Sequence, residues 1–309
     1  MVADYEEAVD LALNSGRGDL AAWLIDSYLR FFESPVPYGV RFFCDFKTAT
    51  RYWRDANLDE AEMKYLSCRD LALENKQNRD AARCNMALGV IRWSRGNTAE
   101  ALPLLEKSEE GLRPIRDKSL SSCLNWLGIV CSNLRLLSRA WRYYTEALEI
   151  NEEMGYQANQ GYLLCNLGLL CQQMGLVDQA ENNFRQSMEL QKKFANRYGY
   201  VDSMANLGML MLKHRESPEN AFEMLLESAD FQLENREIGK AGLVYGNAAM
   251  AAHQMGDRKQ ADELFDKALK LVLQGNEWSH RLEVLGMKAE VMVAEGEFEE
   301  ADELIRRAI

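Results

Sequence analysis

Residues 157–196 read QANQGYLLCNLGLLCQQMGLVDQAENNFRQSMELQKKFAN, and their register decides the fold. An apolar run around Leu167-Gly168 is closed by Gly175, and a second segment places Ala180, Phe184 and Ser187 at i, i+4 and i+7. Residues at that spacing share one face of a helix. A glycine such as Gly175 supplies the left-handed residue with which helices commonly end. The stretch therefore reads as two antiparallel helices joined by a tight turn. Leu167 supplies apolar burial, and Gly168 beside it leaves room for the second helix to come close.

The same frame extends in both directions. Ala180 has counterparts at Ala21, Ala61, Ala101, Ala140, Ala221, Ala261 and Ala301, the successive gaps being 40, 40, 39, 40, 41, 40 and 40 residues. Four residues after each stands a bulky side chain: Ile25, Tyr65, Leu105, Tyr144, Phe184, Leu225, Phe265 and Ile305. The place three further on is small from the second copy onward, ending at Ala308. The close-approach position holds Val9, then Ala49, Gly89, Gly128, Gly168, Gly208, Ala249 and Ala289. Gly16, Gly96, Gly175, Gly256 and Gly296 mark the turn, with Ala56, Arg135 and Glu216 departing from glycine. Asn97 and Asp257, which follow their turns, can start the second helix by accepting from its first N–H groups. One such pair cannot bury its own apolar face, so the copies must stack.

Leu-Gly in the first helix and Ala, Phe, small in the second resemble the tetratricopeptide repeat, most clearly in Asn166-Leu167-Gly168 and in Asn125-Trp126-Leu127-Gly128. The resemblance implies an all-α, right-handed superhelical solenoid of about eight antiparallel helix pairs. The expected organisation is one solenoid over 1–309, with repeats 1–37, 38–77, 78–117, 118–156, 157–196, 197–237, 238–277 and 278–309. The period exceeds the usual ~34 residues, as in Pins-type adaptors, kinesin light chains and bacterial repeat-containing signalling regulators. The first copy is degenerate, with Val9 at its glycine place and Ser34-Pro35-Val36-Pro37 after its second helix. The last is truncated, stopping inside a helix at Arg306-Arg307-Ala308-Ile309, which reads as a piece of a longer polypeptide. An open stack also presents an apolar end, so a homodimer is among the expectations.

Composition narrows the partners. With 36 Lys+Arg against 48 Asp+Glu the formal charge is −12, the wrong sign for nucleic acid or an anionic membrane. The start MVADYEEAVD has no basic n-region, and no apolar run is long enough to cross a bilayer. The seven cysteines form no C-x-x-C and fall into phase with the repeat, as packing residues in a reducing cytoplasmic setting would. No metal, cofactor or catalytic role is expected. There is no phosphate-binding glycine loop or nucleophile elbow, and His214, His253 and His280 are scattered. Glu295, Glu297, Glu299 and Glu300 read as a solvated face, Met63, Met86, Met188, Met211 and Met292 as core fillers.

In the repeat family the first helix of each pair lines the concave face. The resemblance therefore places Lys47, Thr50, Trp53, Arg54, Asn85, Trp93, Asn125, Trp126, Ser132, Asn133, Asn166, Gln172, Gln173, Asn206, Lys213, Asn247, His253 and Gln254 on that face, with His253 the histidine that projects inward. Met209 and Met250 would soften its floor. A carboxamide carries donors and an acceptor, so a row of asparagines can pair with an extended peptide backbone. The peptide-binding candidates are Asn125, Trp126, Asn166, Asn206 and Asn247, with Lys47 and Arg54 as an electrostatic anchor. The Lys/Asn clamp by which some family members grip a C-terminal carboxylate is absent: its lysine place holds Glu6, Phe46, Asn85, Asn125, Cys165, Ala205, Gly246 and Gly286. The partner is expected to be another protein or peptide. The function is that of an interaction scaffold, or else of a regulatory input and dimerisation module of a larger signalling protein.

Overall fold

The computed structural model describes residues 2–32, 36–214, 217–275 and 278–306. Among these residues the chain is all-α, with sixteen helices and no strand. Backbone contacts divide it into two units, Met1–Tyr156 and Gln157–Ile309. The first holds α1 (Val2–Asn14), α2 (Gly18–Leu29), α3 (Tyr38–Arg54), α4 (Leu58–Glu74), α5 (Asn78–Ser94), α6 (Thr98–Leu112), α7 (Lys118–Asn133) and α8 (Leu137–Glu153). The second holds α9 (Gln157–Gln173), α10 (Val177–Lys193), α11 (Arg197–His214), α12 (Pro218–Glu234), α13 (Ile238–Gln254), α14 (Arg258–Gln274), α15 (Trp278–Ala294) and α16 (Phe298–Arg306). Ser34, Pro35, Glu216, Arg307, Ala308 and Ile309 lie outside the described residues.

Within each unit an odd-numbered helix packs on the even one that follows it, and that even helix packs on the next odd one. Odd helices also touch each other, α5 with α7, α9 with α11, α11 with α13 and α13 with α15, which sets them along one side of the stack. The close approach is real. A Cβ added at Gly168 would lie 2.5 Å from Phe184, at Gly128 2.4 Å from Tyr144, at Gly89 2.8 Å from Leu105 and at Gly208 3.0 Å from Leu225. The repeat alanines Ala61, Ala101, Ala140, Ala180 and Ala221 are fully buried, as are Phe184 and Phe265.

The turns explain the three exceptions to glycine in part. Gly16, Gly96, Gly175, Gly256 and Gly296 all have positive φ, between 72° and 87°. Ala56 and Arg135 adopt the same left-handed conformation, with φ of 59° and 62°. The geometry is thus a property of the repeat, imposed even where Cβ makes it unfavourable. Asp257 caps α14 by accepting from Gln260 N at 3.0 Å, whereas Asn97 begins α6 without a side-chain cap.

The seven cysteines are all free and buried. Burial pushes the thiols of Cys44 and Cys123 up to about 12. Met188 and Met211 pack against the core, but Met63 does not: it stands 64% exposed, because it lies two residues past Ala61 and off the inward face of α4.

Ion pairs tie successive repeats together. Lys47 meets Asp10, Arg92 and Arg95 meet Glu62, Arg139 meets Glu106 at 2.5 Å, Arg113 meets Glu146 at 2.9 Å, Lys240 meets Asp202 at 2.5 Å and Lys288 meets Asp266 at 2.8 Å. Several of these pairs, Arg95 with Glu62 above all, are half-buried, while an exposed pair contributes only about 0–1 kcal/mol.

Candidate functional site

In the second unit the row of odd helices borders two cavities that share Met209. The larger, about 640 Å³, is lined by Tyr162, Cys165, Asn166 and Leu169 of α9, Asp202, Asn206 and Met209 of α11, Gln232 near the end of α12, Lys240 and Leu243 of α13, and His280 of α15. The smaller, about 440 Å³, is lined by Gln172, Met209, Leu212, Lys213, Asn247, Met250, Gln254, Met287 and Glu290. Asn166 and Asn206 thus face one cavity and Asn247 the next, all three half-buried. Their sequence register, on α9, α11 and α13, is what brings them to one side.

Asn206 and Asn247 are held by a neighbouring helix and by their own helix respectively. Asn206 Nδ2 donates to Cys165 Sγ at 3.3 Å and Asn247 Nδ2 to the Leu243 carbonyl at 3.0 Å. Gln254 Nε2 donates across to the Leu212 carbonyl at 3.2 Å. A carboxamide has two N–H bonds and a carbonyl, so one such bond orients it without exhausting it. Met209 and Met250 line the floor, as their phase implied, and Met287 joins them.

The larger cavity has an internal charge balance. Lys240 Nζ lies 2.5 Å from Asp202 and 3.6 Å from Glu237. Burial works against its charge, but the two carboxylates prevail and hold its pKa above the ordinary value. The ammonium stays charged and fixed between α11 and α13. Tyr162, Asp202, Gln232, Lys240 and His280 were not among the residues picked from sequence. For Lys240 and Asp202 the signal was present, opposite charges 38 residues apart on equivalent helices.

In the first unit the expected residues fare differently. Asn125 and Trp126 are half-buried on α7, and the Trp126 ring packs edgewise on Trp93 at 5.3 Å. Lys47 pairs with Asp10, while Arg54 donates to the Leu13 carbonyl and, at 2.9 Å, to Asn14 Oδ1. The end of α1 therefore takes up the positive groups read as an anchor. Asn85 is buried, only 4% exposed, rather than presented to a groove. His253 does not stand alone on the inner face: its Nδ1 lies 3.5 Å from Glu295, and His280 is the histidine that lines the larger cavity. Glu295 is correspondingly not solvated, being 17% exposed and 3.0 Å from Arg258.

The model of the tetratricopeptide repeat family matches residues 162–194 and 243–271. Over those residues the chain carries tetratricopeptide repeats, and the other helix pairs follow the same frame. No curated protein sequence matches it. Among solved structures it is similar to the apo form of the quorum sensor NprR from B. thuringiensis, at 14% identity over 98% of this chain and 85% of that one, with a TM-score of 0.71. It is also similar to a Rap protein complexed with Competence and Sporulation Factor, at 13% identity over 99% and 96% of the two chains (TM-score 0.67). A third likeness is to NprR in complex with its cognate peptide NprX, at 11% identity over 99% and 88% (TM-score 0.69). At these identities the likeness is one of fold. No helix among the described residues is long and apolar enough to cross a membrane.

Proposed function

We propose that the chain is a protein-interaction module that binds an extended peptide segment along the inner side of its second unit. The observation that carries this reading is the alignment of Asn166, Asn206 and Asn247 on three successive odd helices beside two cavities that share Met209. Amides in a row supply the donors and acceptors that a peptide backbone needs, and Met209, Met250 and Met287 form an adaptable apolar floor for its side chains. Likeness in fold to NprR bound to its peptide supports binding rather than catalysis as the task of such a surface. Asn125 and Trp126 hold the same register in the first unit and would serve a surface of the same kind within that unit. Lys47 and Arg54 would act as anchor only by giving up Asp10 and the end of α1.

The test uses peptides selected on the wild-type chain from a random display library. Replacing Asn166, Asn206 and Asn247 together by Ala should leave the helix content unchanged and weaken their binding at least about tenfold, since hot-spot polar contacts each contribute on the order of 1 kcal/mol or more. Affinity unchanged in that variant removes the groove reading. A regulatory role is the second reading, favoured by likeness to a quorum sensor. In it, peptide binding would shift the chain between two states or between monomer and homodimer. A sedimentation profile and small-angle scattering curve that stay the same on saturation with the selected peptide would argue against it.

A further inference from the structure

One position of the repeat, eleven residues after the helix alanine, is buried in every described copy from the second to the seventh. It is Ala72, Leu112, Asn151, Gln191, Gln232 and Val272 in turn. Apolar residues fill it without difficulty, so an amide there calls for a partner. Gln191 has one for its oxygen: Asn196, five residues on, donates its Nδ2 to Gln191 Oε1 at 2.7 Å, while Gln191 Nε2 and both amide atoms of Asn151 are without a partner. The corresponding residue after Gln232 is Glu237, which has only acceptors as a carboxylate and turns to Lys240 instead. Gln232 is 2% exposed, and neither its Nε2 nor its Oε1 has a hydrogen-bond partner. It is also the one of the three amides that lines the larger cavity. A buried donor and acceptor left unmade are costly, and a ligand that supplies both removes the cost.

We propose that Gln232 forms a subsite for a primary carboxamide: the side chain of an Asn or Gln residue of the bound peptide, seated where Asn196 sits against Gln191 one repeat earlier. The inference rests on the groove reading and adds the chemistry of one ligand side chain to it. The flexible glutamine side chain turns its amide into the cavity, donates through Nε2 to the ligand carbonyl and accepts at Oε1 from the ligand NH2. A carboxylate of the same shape can use only the first of these bonds, while the charges in the same wall, Asp202 and Glu237 against Arg236 and Lys240, offset one another. The subsite therefore selects Asn or Gln over Asp or Glu.

The experiment titrates the isotope-labelled full chain with N-acetylglutamine methylamide and with N-acetylglutamate methylamide, following the Gln232 side-chain NH2 resonance, which is identified by its loss in Q232L. The resonance should shift and saturate with the glutamine probe at millimolar concentration, with the glutamate probe binding about tenfold more weakly. Glu237→Asn should restore the internal partner seen at Asn196, keeping the resonance but abolishing its response. Q232L should melt higher than wild type, as Leu112 fits the same place in repeat three, and should bind neither probe. Equal response to the two probes, or an E237N chain that responds like wild type, overturns the proposal. Absence of any response in the wild type overturns it as well, while the asparagine triple variant still decides the groove reading by itself.

Discussion

Gly168→Ala isolates the packing rule on which the repeat depends. The new Cβ would stand 2.5, 2.7 and 3.0 Å from Cε1, Cδ1 and Cζ of Phe184. Three atoms of a rigid, fully buried ring are met at once, so no rotation of a side-chain end relieves the overlap. Overpacking of this kind costs about 1–3 kcal/mol, against which alanine gains about 1 kcal/mol over glycine inside a helix. Taking the upper end for a ring, the net loss is about 2 kcal/mol, or a fall of roughly 4–8 °C in melting midpoint for a unit of this size. Gly208→Ala serves as the graded comparison. Its Cβ meets Leu225 at 3.0 and 3.3 Å, a flexible side chain that can yield, and the two terms should nearly cancel. Midpoints from circular dichroism in urea and in heat give both values. Phe184→Leu in the Gly168→Ala background should recover part of the loss, a coupling readable from a double-mutant cycle. If Gly168→Ala is as stable as wild type, or no worse than Gly208→Ala, the close approach is not what fixes the pair.

Ala56→Gly and Arg135→Gly should each raise stability by about 1 kcal/mol, because both residues hold left-handed backbone that glycine adopts freely. Gly175→Ala should lose about as much in the same unfolding assay, and purely through conformation, since its Cβ would meet nothing within 4 Å. The seven buried thiols should be inert to a thiol reagent in the native state and react together on unfolding. Cys44 and Cys123, raised by burial from 9.0 to about 12, hold their protons more tightly folded than unfolded. Their contribution is therefore complete below pH 9 and lost as the pH climbs toward 12, and urea midpoints in Cys44→Ala/Cys123→Ala should fall less across that window.

The helix pairs were legible because each signal reports local geometry that every copy must satisfy. Gly168 opposite Phe184, Gly175 in the turn and Ala180 in the seam are each forced by sterics, so a period near 40 residues exposes them. The asparagine row was legible for the same reason, as phase on equivalent helices. What escaped was whatever depends on the partner of a residue. Lys47 and Arg54 were read by their charge, but Asp10 and the end of α1 decide what that charge does. His253 and His280 have the same chemistry, and their placement tells them apart, the first beside Glu295 and the second in the larger cavity. Gln232 carries no mark in the sequence until Glu237 is seen to have turned toward Lys240.

The ion pairs that step from one repeat to the next give the copies an order that their shared frame does not. Lys240 is matched to Asp202 and Arg95 to Glu62, each to the particular neighbour it has. A chain with its modules shuffled would keep every alanine seam and glycine hinge, yet bring like charges face to face at several junctions. The building blocks share one shape but carry individual addresses, and consensus versions that erase those addresses would stack without knowing which neighbour comes next.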